Sequence, residues 1–250
     1  VELYKNGIVL MADNTYTMLC RFTNTAYLSQ TEGEQQSIYE RYVSLLNGLS
    51  PRIHFQEVIY NRPVDLERLS RLMVPSAESS NDYARALKGV LAGFAEEICV
   101  GVSEKDYIIA LSYKVQTKYD NAYETLNKAF VHVAGKLQSV GSALEQLTPD
   151  EVLRVLYKLY NPFSAAPLML PPDAAAHGVD ERDIIAPGDM AFKPKYILLG
   201  DSYAKIYAAA TYGGTLDDTF FTDLAANNCN VVVSKHLQHI PKDTALKGVE

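Results

Sequence analysis

Ile8-Val9-Leu10-Met11-Ala12-Asp13-Asn14-Thr15-Tyr16-Thr17-Met18-Leu19-Cys20-Arg21-Phe22 is the stretch on which the fold turns. Two β-prone runs, Ile8 to Met11 and Tyr16 to Phe22, flank Ala12-Asp13-Asn14-Thr15, whose residues suit a turn. The pattern predicts a β-hairpin. Further along, Ile38, Tyr42, Leu45 and Leu46 recur at helical spacing across residues 34–47, and Asn47-Gly48 closes that helix. Ile53 to Tyr60 then reads as a strand. Arg62-Pro63 ends it, because proline has no amide to donate to a ladder. The order is hairpin, helix, strand.

The same order returns near the end of the chain. Tyr196 to Leu199, the turn Gly200-Asp201-Ser202 and Tyr203 to Tyr212 make a second hairpin. A helix over 215–228 and a strand from Asn230 to Leu237 follow. The closing signals match too: Asn61-Arg62-Pro63-Val64-Asp65 in the first half, His239-Ile240-Pro241-Lys242-Asp243 in the second. The expected fold is therefore α+β, two β-β-α-β-based units with mixed or antiparallel sheets and packed helices. The second unit reads as cut off where its next helix should begin, so more chain is expected beyond Glu250.

Between these repeats the pattern adds four elements. A helix over 81–99 has Tyr83, Leu87, Leu91, Phe94 and Ile98 as its expected buried stripe. A strand runs from Tyr107 to Val115. A helix over 120–140 carries Tyr123, Leu126, Phe130, Val133 and Leu137 on one face. Thr148-Pro149-Asp150-Glu151 has the signature of a capping box with proline at the first helical position, and the helix packs through Val152, Leu156 and Leu159. Residues 162–180, with Pro162, Pro167, Pro171 and Pro172 among alanines, read as an extended linker. The expected domains are 1–161, with that linker at 162–180, and 181–250.

Composition narrows the chemistry. The 250 residues are 48% hydrophobic and 21% charged, with a net charge of −7. That is ordinary globular composition, and such a charge gives no long-range attraction to phosphate backbones or anionic lipid. Cys20, Cys99 and Cys229 are widely separated, which fits a reducing compartment rather than a disulfide framework. Phosphate binding by a G-x-x-x-x-G-K-[ST] loop needs successive backbone amides and an ammonium group around the phosphate. The chain's Gly135-Lys136 pair lies within a helical pattern, with Phe130 where the first glycine belongs and Leu137 after the lysine. Gly213-Gly214 joins a strand to a helix start, but Asp217 and Asp218 would repel phosphate there.

Ile197-Leu198-Leu199-Gly200-Asp201-Ser202 resembles the strand and Gly-Asp-Ser element that carries the nucleophile of the GDSL hydrolase family. A small serine hydrolase using Ser202 is thus the alternative function. The family's Gly-x-Asn-Asp oxyanion element and Asp-x-x-His pair do not follow here, and Gly-Asp-Ser between β runs is also hairpin chemistry. His236 and His239 are three residues apart on a strand end, while His54, His132 and His177 are scattered, so no metal site is expected. The seventeen tyrosines are not interleaved with Lys/Arg clusters along the chain, which argues against a base-stacking surface.

Taken in order, several segments resemble the N-terminal region of the conjugation ATPases of type IV secretion systems, the VirB/TrbE/CagE family. The likeness is to homologues on integrative elements of Gram-positive bacteria. The segments are the opening hairpin, Glu34-Gln35-Gln36 with Leu45-Leu46-Asn47, Leu147 to Leu153 running into Tyr160-Asn161-Pro162, and Asp183-Ile184-Ile185-Ala186-Pro187. Phe192, Lys195-Tyr196, Gly200 to Tyr203, Val231 to His236 and Pro241-Lys242-Asp243 follow. Tyr212-Gly213 departs from the Tyr-Pro common in related sequences.

The resemblance implies a non-catalytic docking and assembly domain, cytoplasmic and peripheral at the inner face of the cell membrane. Its implied partners are the inner-membrane subunits of the secretion channel and other copies of the ATPase, with no direct nucleic-acid contact and no small-molecule substrate. ATP and Mg²⁺ would belong to a C-terminal domain outside this chain, leaving no cofactor and no catalytic residue in this segment. Docking through a sheet edge would place the interface at Val231, Val232, Val233 and His236.

Overall fold

Asn14 holds a positive φ of 63°, a conformation asparagine tolerates better than most residues, and this lets the chain reverse within the first hairpin. The computed structural model describes residues 2–63, 103–117, 121–162, 180–200, 202–209, 220–226 and 229–239. It also describes positions 83, 86–87, 89–91, 93–94 and 168. β1 (Glu2–Leu3) pairs antiparallel with β2 (Ile8–Leu10), and β2 with β3 (Thr15–Phe22). Gly7 turns the chain between the first two at φ 77°. A Cβ there would sit 2.3 Å from the Leu147 carbonyl oxygen, so only glycine fits.

β3 is the organising strand. One side pairs antiparallel with β5 (Ser103–Lys114) over seven residues, from Thr15↔Lys114 to Arg21↔Ile108. The other side is shared by β2 and, further along, by β6 (Leu144–Gln146). With β4 (Ile53–Pro63) and β10 (Val231–Leu237), the sheet runs β1-β2-β3-β5-β4-β10, β6 lying off this path. Period-2 alternation puts Tyr16, Met18 and Cys20 opposite Tyr113, Leu111 and Ile109 on one face. On the other face, Thr17 and Ser112 join their hydroxyls at 2.9 Å.

Two helices belong to the core formed on the first of these faces, α1 (Glu32–Asn47) and α2 (Ala122–Gln138). α1 starts in a capping box, with the Thr31 amide donating to Glu34 at 2.9 Å. Leu45 and Leu49 from the end of α1 and the turn after it join Leu126, Ala129, Val133 and Leu137 of α2 against the sheet. The buried register of α2 is Ala122, Leu126, Ala129, Val133, Leu137. Tyr123, assigned to that face from the sequence, is exposed instead. Ala122 and Ala129 take buried positions beside Leu126, Val133 and Leu137, while Phe130 is only partly buried against the core.

α3 (Pro149–Tyr160) begins with the capping box expected at Thr148. The Thr148 amide donates to Glu151 at 2.9 Å and the Thr148 hydroxyl accepts from the Glu151 amide at 3.4 Å. Its buried residues are Val152, Leu153 and Val155, with Leu156 and Leu159 only half-buried. α4 (Glu181–Ile185) precedes a separate antiparallel sheet, β7 (Met190–Lys193), β8 (Tyr196–Leu199) and β9 (Ser202–Ala204). α5 (Phe220–Leu224) lies further along the chain.

The fold is thus α+β, with two sheets whose registered pairs are antiparallel. By contacts the chain divides into two compact units. The first comprises Val1–Glu57, Tyr107–Tyr212 and Lys235–Glu250; the second comprises Val58–Asp106 and Gly213–Ser234. Most of the linker expected at 162–180 lies outside the described residues.

Two further expectations differ from what is observed. The strand read as closing the second repeat, Val231–Leu237, lies next to β4 in the large sheet rather than with β7–β9. Within the second unit, the buried Asn61 amide donates to the Cys229 carbonyl at 3.0 Å, tying β4 to the residues entering β10. The stripe expected to be buried on the helix over 81–99 is half-buried at Leu91 and otherwise exposed where described. Tyr83 is 80% and Phe94 53% accessible, with Leu87 likewise exposed. Ile98 lies outside the described residues.

Candidate functional site

Among the described residues, β10 ends the strand order of the large sheet. Its residues alternate between half-buried and exposed along the whole strand, the signature of a half-covered strand. This alternation splits the four interface residues expected from the sequence. Val232 (48% accessible) and His236 point outward with Ser234, whereas Val231 and Val233 are half-buried on the other face.

Lys235 shares the inward face with Val231 and Val233, an unusual place for an ammonium group. Within the first unit its Nζ lies 2.6 Å from Glu57 Oε2 and 5.3 Å from the Tyr42 ring centroid. The Tyr42 hydroxyl donates to the same carboxylate oxygen at 3.1 Å. Burial pushes the Tyr42 phenol up to about 12, with the Glu57 charge adding to the effect. Burial alone would lower Lys235, but attraction to Glu57 and Tyr42 outweighs it and holds the ammonium above its ordinary range. The cluster anchors the first-unit end of the strand with a half-buried, ion-paired charge. The signal in the sequence was a lysine in phase with Val231 and Val233 at period 2.

A second charged group sits on β4 and β5 in the second unit. Arg62 donates to Glu104 at 2.9 and 3.0 Å, lies 3.2 Å from Asp106 and stacks 5.6 Å from the Tyr60 ring. Burial raises the Tyr60 phenol, and Arg62 partly offsets this.

The histidines take structural positions. His132 Nε2 lies 3.1 Å from the Leu45 carbonyl and His239 Nε2 3.1 Å from the Leu46 carbonyl. A carbonyl only accepts, so each Nε2 carries the proton. Both histidines therefore satisfy carbonyls that the last turn of α1 leaves open. His54 is exposed on β4, and His177 lies outside the described residues. Among the described residues, no group of His, Cys, Asp and Glu is placed to hold a metal ion.

Gly200 has φ 56° and starts the two-residue loop between β8 and β9, where a primed hairpin turn needs a positive φ. Ser202 is consequently the first residue of β9, in register with Leu199. Gly135-Lys136 lies inside α2, with the lysine donating to Ser44 Oγ at 2.9 Å. Gly213, Gly214, Asp217 and Asp218 lie outside the described residues. Among the described residues, no helix is long and apolar enough to cross a membrane. No protein-family model matches the chain, and no curated protein matches it.

Proposed function

We propose that this chain is a non-catalytic docking and assembly domain of a conjugative DNA-transfer ATPase of a type IV secretion system. It works at the inner face of the cell membrane. The observation that carries the reading is the place of β10 at the end of the strand order among the described residues, in the segment the resemblance singles out. An edge strand offers a row of main-chain donors and acceptors, and an extended partner segment can add to it as a further strand. Val232 and His236 would then give side-chain specificity on the outer face, with Val231 and Val233 holding the strand against its own sheet. The partners are the small inner-membrane subunits of the channel and other copies of the ATPase. ATP and Mg²⁺ are handled elsewhere in the parent protein.

The test is co-purification of the tagged chain with the small membrane subunits encoded beside it. Val232→Lys, at an exposed edge position, should abolish capture while leaving the far-ultraviolet circular dichroism spectrum unchanged. Equal capture by the variant overturns the β10 interface. Micromolar binding of Mg-ATP by the isolated chain in calorimetry overturns the non-catalytic assignment.

A further inference from the structure

Lys193, Tyr196, Tyr203 and Lys205 lie close in sequence, and the registers of β7–β9 set which of them share a face. Tyr196 is in register with Lys193 on β7, and Leu198, two residues on, is in register with Tyr203 on β9. Register partners, and residues two apart on a strand, share a face, so Lys193, Tyr196, Leu198 and Tyr203 lie on one side of this small sheet. Lys205 follows Tyr203 by two, one place past the end of β9, and is exposed. Tyr203 is 71% and Tyr196 39% accessible, yet their rings meet edge-on with centroids 6.1 Å apart. Two aromatic rings are thus oriented by each other and left open to solvent, with an ammonium group on the strand to one side and another beyond the strand to the other.

We propose that this face is a stacking platform for single-stranded nucleic acid. Phenol rings offer π-faces to unpaired bases without regard to sequence, and flanking lysines neutralise the phosphates of the strand that carries them. Exposed aromatic residues alone would fit many partners. The pairing of aromatic rings with Lys193 on the same face and Lys205 just past the strand end selects a polyanion with flat apolar groups. An ammonium-to-phosphate contact needs no net positive charge on the whole chain, so the total of −7 lowers affinity without removing the site. The interleaving of tyrosine and lysine that is missing along the sequence is present across the strands. The platform is separate from the β10 edge and does not depend on it.

The test is fluorescence anisotropy of a labelled 20-residue oligothymidylate titrated with the chain at low salt. Binding is expected, with a log–log salt slope between about −1 and −2 for two phosphate contacts on a single strand. Tyr203→Ala should weaken it by about fivefold to a hundredfold, and Lys193→Gln with Lys205→Gln should flatten the salt slope. All three positions are exposed, so the variants should keep the parent's circular dichroism spectrum. No binding at 100 µM chain overturns the proposal, as does binding that both sets of variants leave unchanged. Sedimentation with phosphatidylglycerol vesicles is the second arm. Vesicle binding that Tyr203→Ala removes, with no oligonucleotide binding, assigns the face to a lipid surface and also overturns the proposal. Capture of membrane subunits through β10 should be the same in Tyr203→Ala, so the two readings fail separately.

Discussion

The large sheet and the small one are built from the same kinds of residue and put them to opposite use. In the large sheet, β3 and β5 place Met18, Cys20, Leu111 and Tyr113 almost fully out of solvent, under Leu126 and Val133 of α2. In β7–β9, Phe192 is 74% accessible, and Tyr203, Met190 and Tyr196 are exposed as well. A strand's hydrophobicity therefore does not tell whether its face is covered. The helix that lies on a sheet does. Where α1 and α2 supply leucine, valine and alanine the strands make a core, and where no described helix lies on them they make a surface.

The difference should be largest in a cavity experiment. Leu126→Ala should cost about 2–5 kcal/mol, because a fully buried leucine leaves a hole in packed surroundings. Phe192→Ala on the small sheet, although it removes a larger side chain, should stay within about 0.5 kcal/mol. Urea unfolding of the two variants measures both, and similar losses would break the contrast.

Alkaline pH probes the buried polar cluster in which Tyr42 of α1 meets Glu57 and Lys235. The folded Tyr42 phenol is raised from 10.0 to about 12, so its contribution is complete below pH 10 and is lost as pH climbs from 10 to 12. Lys235, raised above 10.5, acts in the same direction. Stability should fall by roughly 2 kcal/mol between pH 9 and pH 12 on account of Tyr42. Tyr42→Phe should lose less over the same interval, and an equal loss in both proteins would show that the phenol is not responsible. Thr148→Ala gives a smaller effect, about 1 kcal/mol, through the lost capping box of α3. Thermal melting of Thr148→Ala beside Thr148→Ser, which keeps the hydroxyl, checks it.

Local chemistry was legible in the sequence, and long-range pairing was not. Asp13-Asn14 marked the first turn, Thr148 to Glu151 marked the start of α3, and Gly200 marked the second hairpin, since each signal acts within four residues. The α+β class followed from those pieces. Where β10 would pair was invisible, because Val231 to Leu237 alternates with a period that suits any sheet. The Asn61 amide to the Cys229 carbonyl spans 168 residues. β6 was missed because three residues, Leu144–Gln146, carry too little periodicity to register. At the candidate site, the strand was read from the sequence but its two faces were not separated, which period 2 would have allowed. The Lys193, Tyr196 and Tyr203 face depends on the register of three strands, which the one-dimensional pattern does not contain.

The sharing of β3 among β2, β5 and β6 has a consequence for synthesis. When Phe22 leaves the ribosome, one long side of its strand has no partner until Lys114 follows about ninety residues later. At about 5–20 residues per second that interval is roughly 5 to 20 s. Throughout it, Met18, Cys20 and the neighbouring main-chain groups are open to other nascent chains. A holding chaperone that engages the first twenty-odd residues would thus raise the yield of folded protein more than one acting after release.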